Sequence, residues 1–293
     1  MEVIERVSII RDRMQALRCS GKRIGFVPTM GALHEGHLQL LRASAQENDV
    51  TVCSIFVNPT QFNNPDDYRL YPRTLEQDTA LLRSVGCDIL FAPHAEEVYA
   101  QQSLLQFSFG PLEAVMEGEH RPGHFNGVAT VVGKLFHFVQ PHRAYFGQKD
   151  LQQVAVVKQL VQGLSFGVEV VRYPTIREED GLAMSSRNKR LEAGQRQVAT
   201  MLHGALQLAK EQLVKKPVYT IKATVEAYLT SANEIRLEYF EIVHPDTLQP
   251  LAEVQPGQEA ALCIAAYVGP VRLIDNILVN LNGGQIVEGE ERQ

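Results

Sequence analysis

Val27-Pro28-Thr29-Met30-Gly31-Ala32-Leu33-His34-Glu35-Gly36-His37 is the stretch on which the reading of this chain turns. An apolar, strand-like run, Ile24 to Val27, leads into it and meets a Pro and then a Gly. From Gly36 the pattern becomes helical, with Leu38, Leu40 and Leu41 set against Gln39 and Arg42. His34 and His37 therefore stand where a strand hands over to a helix. Such a junction is expected to present unpaired backbone N–H groups and the positive end of the helix macrodipole, both of which favour phosphate or another anion. A single His beside an apolar segment would read as structural. Two of them at a helix entrance point to phosphate contact, and their i, i+3 spacing departs from the i, i+4 pair of a zinc-protease helix.

Outward from this junction, strands and helices alternate. The helix runs to about Asn48, and Val50 to Val57 is a continuous apolar run rich in β-branched residues, as suits a strand buried on both faces. Asn58 to Asp67 reads as a polar loop, and Thr74 to Val85 as a helix stopped by Gly86. Asp88 to Phe91 and Leu104 to Phe109 are strand candidates, Val128 to Val139 a helix, Ala144 to Phe146 a short strand, Leu151 to Val161 a helix and Val168 to Tyr173 a final strand. This alternation predicts βαβ units with right-handed crossovers, hence an α/β fold with a doubly wound parallel sheet of Rossmann type. Ligands of such sheets bind at the carboxyl ends of the strands, where His34, His37, Asn58, Gln61 and Gly147 to Asp150 all fall.

After Tyr173 the pattern changes. Glu192 to Lys215 and Thr220 to Thr230 are helical, followed by strand-like runs at Arg236 to Val243, Ala260 to Tyr267 and Val271 to Val279, the last two flanking a Val-Gly-Pro turn. A smaller α+β domain is predicted, dividing the chain into residues 1–176 and 177–293. The acidic tail Glu288 to Gln293 is expected to fray.

A net charge of −6 argues against a general nucleic-acid binder. No apolar run approaches the roughly 20 residues that a membrane helix needs. Cys19, Cys53, Cys87 and Cys263 are scattered without a Cys-x-x-Cys pair, and no signal peptide opens the chain, so the expectation is free thiols in a reducing cytoplasm.

Two further groups carry chemistry. Gly147-Gln148-Lys149-Asp150 lies at another strand-to-helix switch, where a lysine supplies a compact charge for phosphate and Asp150 can serve as N-cap, metal partner or ribose acceptor. Gln153 follows on the first turn of the next helix. Asp180-Gly181-Leu182-Ala183-Met184-Ser185-Ser186-Arg187-Asn188 is a polar loop at the domain boundary, whose hydroxyls and guanidinium suit a polyphosphate. A loop there can close over nucleotide and exclude water.

The segments Pro28 to His37, Phe56 to Phe62, Tyr71-Pro72-Arg73-Thr74, Arg121 to Phe125, Tyr145 to Asp150 and Met184 to Asn188, taken in order along nearly the whole chain, resemble the pantothenate synthetases, the pantoate–β-alanine ligases. More distantly, the His-x-x-His element and the Met-Ser-Ser-Arg loop are similar to the two signatures of the nucleotidyltransferase superfamily shared with class I aminoacyl-tRNA synthetases.

The resemblance implies an enzyme that forms pantoyl adenylate and pyrophosphate from pantoate and ATP, then lets β-alanine displace AMP. By that likeness Met30, Gly31, Ala32, Leu33, His34, Glu35, Gly36 and His37 bind ATP, with His37 the usual nominee for proton donor. Gly147, Gln148, Lys149, Asp150, Ile176 and Met184 meet the nucleotide, and Lys149, Ser185, Ser186 and Arg187 its phosphates. Gln61 and Gln153 hold pantoate, and Gln61 lies near β-alanine. Asn58, Tyr71, Glu117 and Arg121 line the pocket. Mg²⁺ is implied, held mainly by ATP with Asp78 a nearby candidate, as is a homodimer. The rival reading is a nucleotidyltransferase acting on a different carboxylate or phosphate acceptor. Paired glutamines suit hydroxyl and carboxylate oxygens better than a phosphate acceptor, which calls for cations.

Overall fold

The computed structural model describes residues 1–63, 65–101, 103–282 and 285–288. The chain forms two compact units, Met1–Gly147 with Gln153–Tyr173, and Gln148–Gln152 with Pro174–Gln293. Gln148–Gln152 groups with the second unit, where Asn276 hydrogen-bonds the backbone of Gln148 and Lys149.

The first unit is built on six parallel strands: β1 (Glu2–Ile4), β2 (Ile24–Thr29), β3 (Val50–Ile55), β4 (Ile89–Phe91), β5 (Arg143–Gly147) and β6 (Glu169–Tyr173), in the order β1-β4-β3-β2-β5-β6. From β2 the chain winds out through β3 and β4 and then back through β5 and β6. The expected doubly wound α/β sheet is present, with its switch point between β2 and β5. Neighbouring residues feed opposite faces. Phe26 and Val52 join one buried cluster with helix His124–Val139, and Val27 and Cys53 join another with Leu38 and Leu41 of helix Glu35–Glu47. Burial of both faces explains why these strands read as continuous apolar runs.

Two residues of β2 set its surroundings. A Cβ at Gly25 would lie 2.2 Å from Ser44 Oγ and 2.5 Å from Asn48 Nδ2, so glycine lets helix Glu35–Glu47 lie close on the strand. Pro28 continues the strand to Thr29, beyond the Val27 at which the apolar run ends. Ile24 exchanges hydrogen bonds with His142 on the β5 side, so by alternation Pro28 also turns its missing donor to that side. Pairing with β5 is confined to Gly25 and Phe26, so no ladder bond is lost there.

Strand β1 and helix Val7–Cys19 precede the opening junction and add to the elements expected from sequence. Leu104 to Phe109 is corrected: it is irregular. Phe107 and Phe109 pack on the core and give the run its alternation, but Leu104 and Leu105 are 90% and 75% exposed. The Phe107 N–H is taken by Asn126 Oδ1 rather than by a neighbouring strand.

The second unit holds an antiparallel sheet of β7 (Ile235–Val243), β8 (Glu259–Val268), β9 (Val271–Asn282) and β10 (Gln285–Glu288), ordered β10-β9-β8-β7. Helices Ala193–Ala199, Met201–Gln212 and Val218–Thr230 bury Leu202, Leu206, Ile221 and Val225 against Phe240, Leu262 and Ile264. The single helix expected over Glu192 to Lys215 is two helices, Ala193–Ala199 and Met201–Gln212, parted at Thr200. Of the tail expected to fray, residues 289–293 lie outside the described residues.

Cys53, Cys87 and Cys263 are buried free thiols and Cys19 is exposed. Desolvation raises the Cys53 and Cys87 thiols, Cys87 to about 12, which suppresses their reactivity. Among the described residues no helix is long and apolar enough to cross a membrane.

Candidate active site

The stretch after β2 is a buried, left-handed turn. Gly31 has φ of 82° and Ala32, without glycine's freedom, 52°. Beneath the turn lies Asp78, buried to 2% exposure, which accepts the Ala32 N–H on one oxygen and the Leu33 N–H on the other, each at 2.9 Å, and the Thr74 hydroxyl at 3.1 Å. Thr29 Oγ1 takes the Gly31 N–H at 3.2 Å. The expectation that this junction presents unpaired amides is therefore corrected for Gly31 to His34, whose N–H groups are met within the protein. A ligand is left the first-turn amides of Glu35 and Gly36, which an α-helix cannot pair internally. The same geometry gives Asp78 a structural task, holding the turn from beneath.

His34 caps helix Glu35–Glu47, and its backbone N–H donates to His37 Nδ1 at 3.4 Å. The two rings lie 4.1 Å apart between centroids. With Nδ1 accepting, the neutral imidazole of His37 carries its proton on Nε2, which makes that nitrogen a donor. The Glu35 carboxylate takes the Gln39 amide at 2.8 Å and the Arg42 guanidinium, steadying the first turn.

At the carboxyl end of β3, Asn58 and Gln61 are buried. Asn58 Nδ2 donates to the Gly127 carbonyl and to Gln61 Oε1, both at 3.1 Å, while Asn58 Oδ1 accepts the Tyr99 hydroxyl at 2.7 Å and the Thr60 hydroxyl at 3.0 Å. Burial raises the Tyr99 hydroxyl above its ordinary pKa, keeping it a donor. Asn58 thereby fixes which way the Gln61 amide faces. The oxygen is engaged, and Nε2 points to Met30 Sδ at 2.9 Å with a second hydrogen for a ligand. His124 Nδ1 meets the Gln61 carbonyl at 2.8 Å. A Cβ at Gly127 would fall 2.3 Å from the Thr60 carbonyl oxygen, so this glycine admits the Pro59–Gln61 turn. Tyr71 stacks edgewise on Phe62, centroids 5.7 Å apart, and Arg121 pairs with buried Glu117 at 3.4 Å. Gln153 lies half-buried on the first turn of helix Leu151–Gly163.

In the second unit, Gln148–Asp150 form a 3₁₀ turn after β5, with Gln148 and Lys149 half-buried and Asp150 exposed. Ile176 accepts the Met184 N–H at 2.9 Å, and the Ser185 hydroxyl caps a second 3₁₀ turn, Ser186–Arg190, by accepting the Arg187 N–H. Asn188 holds this loop through Glu178 Oε1 at 2.7 Å and the Ala183 carbonyl at 3.1 Å. Arg196 clasps both Glu178 and Asp180 at 2.6 Å. Among the described residues no group of three or more His, Cys, Asp or Glu side chains is placed to hold a metal.

Tyr99, Gly127 and Asn276 join these groups without any sequence signal of their own, and His124, which lies within the Arg121 to Phe125 segment, takes no role from the resemblance. Tyr99 stands 41 positions from Asn58, Gly127 69 positions from it, and His124 63 positions from Gln61, so no local pattern reveals these pairings.

A doubly wound parallel sheet with a capped His pair at its switch strand, together with an α+β unit carrying a Ser-Ser-Arg turn, defines a two-unit protein of the nucleotide-binding α/β class. The chain belongs to the pantoate–β-alanine ligase family, whose model, described as Pantoate-beta-alanine ligase, matches residues 2–278. It is 48% identical over 277 residues to the pantothenate synthetase of Bacteroides thetaiotaomicron, covering 94% of this chain and 98% of that one. The crystal structure of pantothenate synthetase from Thermus thermophilus superposes with a TM-score of 0.87 at 46% identity, covering 94% and 99%. That of the Francisella tularensis pantoate–β-alanine ligase, complexed with β,γ-ATP and β-alanine, gives 0.79 at 35% identity, covering 95% and 97%.

Proposed function

We propose that this protein condenses pantoate with β-alanine at the expense of ATP, through a pantoyl adenylate. The observation that carries the reading is the family match along residues 2–278. In the first step a pantoate carboxylate oxygen attacks the α-phosphorus of ATP and the bond to the β-phosphate breaks, releasing pyrophosphate. In the second, the β-alanine amine attacks the acyl carbon, the bond to AMP breaks, and the amine loses a proton.

Bringing a carboxylate against an anionic phosphorus makes positioning and charge neutralisation the main demands. Gln61 and Gln153 hold pantoate, with Gln61 also near β-alanine. Met30 to His37, Gly147 to Asp150, Ile176 and Met184 to Arg187 bind ATP. His34 and His37 act chiefly as electrostatic hydrogen-bond donors to the oxygens around the crowded phosphorus, a role consistent with a His37 Nε2–H. Lys149, Ser185, Ser186 and Arg187 take the phosphates, and Asn58, Tyr71, Glu117 and Arg121 shape the pocket. A Mg²⁺ ion bound with ATP would neutralise phosphate charge, with Asp78 the nearby carboxylate of the chain. The protein works as a cytoplasmic homodimer.

Incubation with ATP, pantoate and β-alanine should yield pantothenate, AMP and pyrophosphate in equal amounts by mass spectrometry. Formation of ADP and phosphate instead would contradict the adenylate route.

A further inference from the structure

Asn276, on β9, is 3% exposed and lies in none of the sequence motifs. Its two amide hydrogens go to consecutive carbonyls, Gln148 and Lys149, each at 3.0 Å, and its oxygen accepts Gln148 Nε2 at 3.3 Å. Because the carbonyls only accept, the amide has one orientation. The preceding residue, Asp275, is equally buried. It takes both arms of Arg177, at 2.6 and 3.0 Å, and the Asn276 N–H at 2.7 Å. Arg177 also donates to the Asn276 carbonyl at 3.2 Å and to the Gly181 carbonyl at 3.0 Å, where the loop that carries Ser185 and Arg187 begins. The turn bearing Lys149 and the Ser-Ser-Arg loop thus hang from one pair of residues within the second unit.

We infer that Asn276, braced by Arg177 and Asp275, is a positioning residue for adenylation: it sets where Lys149 starts its reach to the ATP phosphates. The inference rests on the reading that Lys149 serves those phosphates. A lysine stem is flexible, so the placement of its backbone, rather than a rotamer, decides whether the charge arrives. Asn276→Ala removes both donors. Asn276→Asp, of the same shape, sets a carboxylate against two carbonyl oxygens.

The two half-reactions separate this role from general support of the fold. With Asn276→Ala and Asn276→Asp, pantoate-dependent pyrophosphate exchange should fall about 10- to 100-fold, the range that a misplacement near 1 Å produces, with a raised KM for ATP and an unchanged KM for pantoate. Conversion of supplied pantoyl adenylate and β-alanine to pantothenate, which moves no polyphosphate, should stay near the parent rate. Lys149→Ala, run alongside, should lose exchange at least as severely. Should Asn276→Asp fail to fold, Asn276→Ala, which adds no buried charge, carries the test. Equal losses in both half-reactions, or intact exchange in Asn276→Ala where Lys149→Ala is crippled, would overturn the inference. Intact exchange in Lys149→Ala would overturn the phosphate reading beneath it.

Discussion

Asp78 has a structural task that the sequence does not display. The family resemblance puts Asp78 near the metal, and only the folded chain shows both of its oxygens given to the Ala32 and Leu33 amides. Asp78→Asn turns one acceptor into a donor facing an N–H, and an orphaned buried amide costs roughly 1–3 kcal/mol. Denaturant unfolding should register that loss, together with weaker adenylation as the turn beneath His34 and His37 loosens; unchanged values in both would contradict the anchoring role. At His37 the expected order is set by the donor. His37→Gln keeps an N–H and should retain near-normal pyrophosphate exchange, whereas His37→Ala should lose on the order of 10²-fold, as when one transition-state donor is removed. Equal, severe losses in both would instead favour proton transfer. The histidines themselves are legible in sequence because their chemistry and their strand-to-helix setting are local. Tyr99 and Gly127 are not, since a tyrosine or a glycine within an ordinary run says nothing of a partner far along the chain.

Helix Glu35–Glu47, which presents the His pair, is fixed at both ends. Asp78 holds the turn before it, and Glu47 at its far end accepts the Tyr145 hydroxyl at 2.7 Å and Arg143 at 2.8 Å from β5. Desolvation, with Glu47 second, raises the Tyr145 phenol from 10 to about 12. The folded state thus favours the protonated phenol. Its contribution to stability is intact below pH 10 and is lost as pH rises from 10 through about 12. Unfolding measured across that window should show the parent losing more stability than Tyr145→Phe, and parallel curves would contradict the assignment. Gly25→Ala should force this helix off β2 and destabilise the first unit, measured as a lowered unfolding temperature. Strands β2 to β6 and their helices can be read because burial on both faces leaves continuous apolar runs. Leu104 to Phe109 misleads because alternate phenylalanines can pack on a core without any strand beside them, and the helix break at Thr200 has no mark such as a Pro or Gly at that position.

At the scale of the whole molecule, the order of strand, helix and strand makes the doubly wound sheet and the change to α+β after Tyr173 readable, since both follow from periodicity and connection rules. The grouping of Gln148–Gln152 with the second unit is not, because it follows from packing on β9, more than a hundred residues downstream. The substrates, in turn, come from family membership and not from composition or fold, which many chemistries share. The central claim is that the chain activates pantoate as an adenylate before β-alanine takes part. Exchange of labelled pyrophosphate into ATP tests it most directly. Exchange that requires pantoate, and needs neither β-alanine nor RNA, is the predicted result; no exchange with pantoate present, or exchange that proceeds without it, would contradict the account.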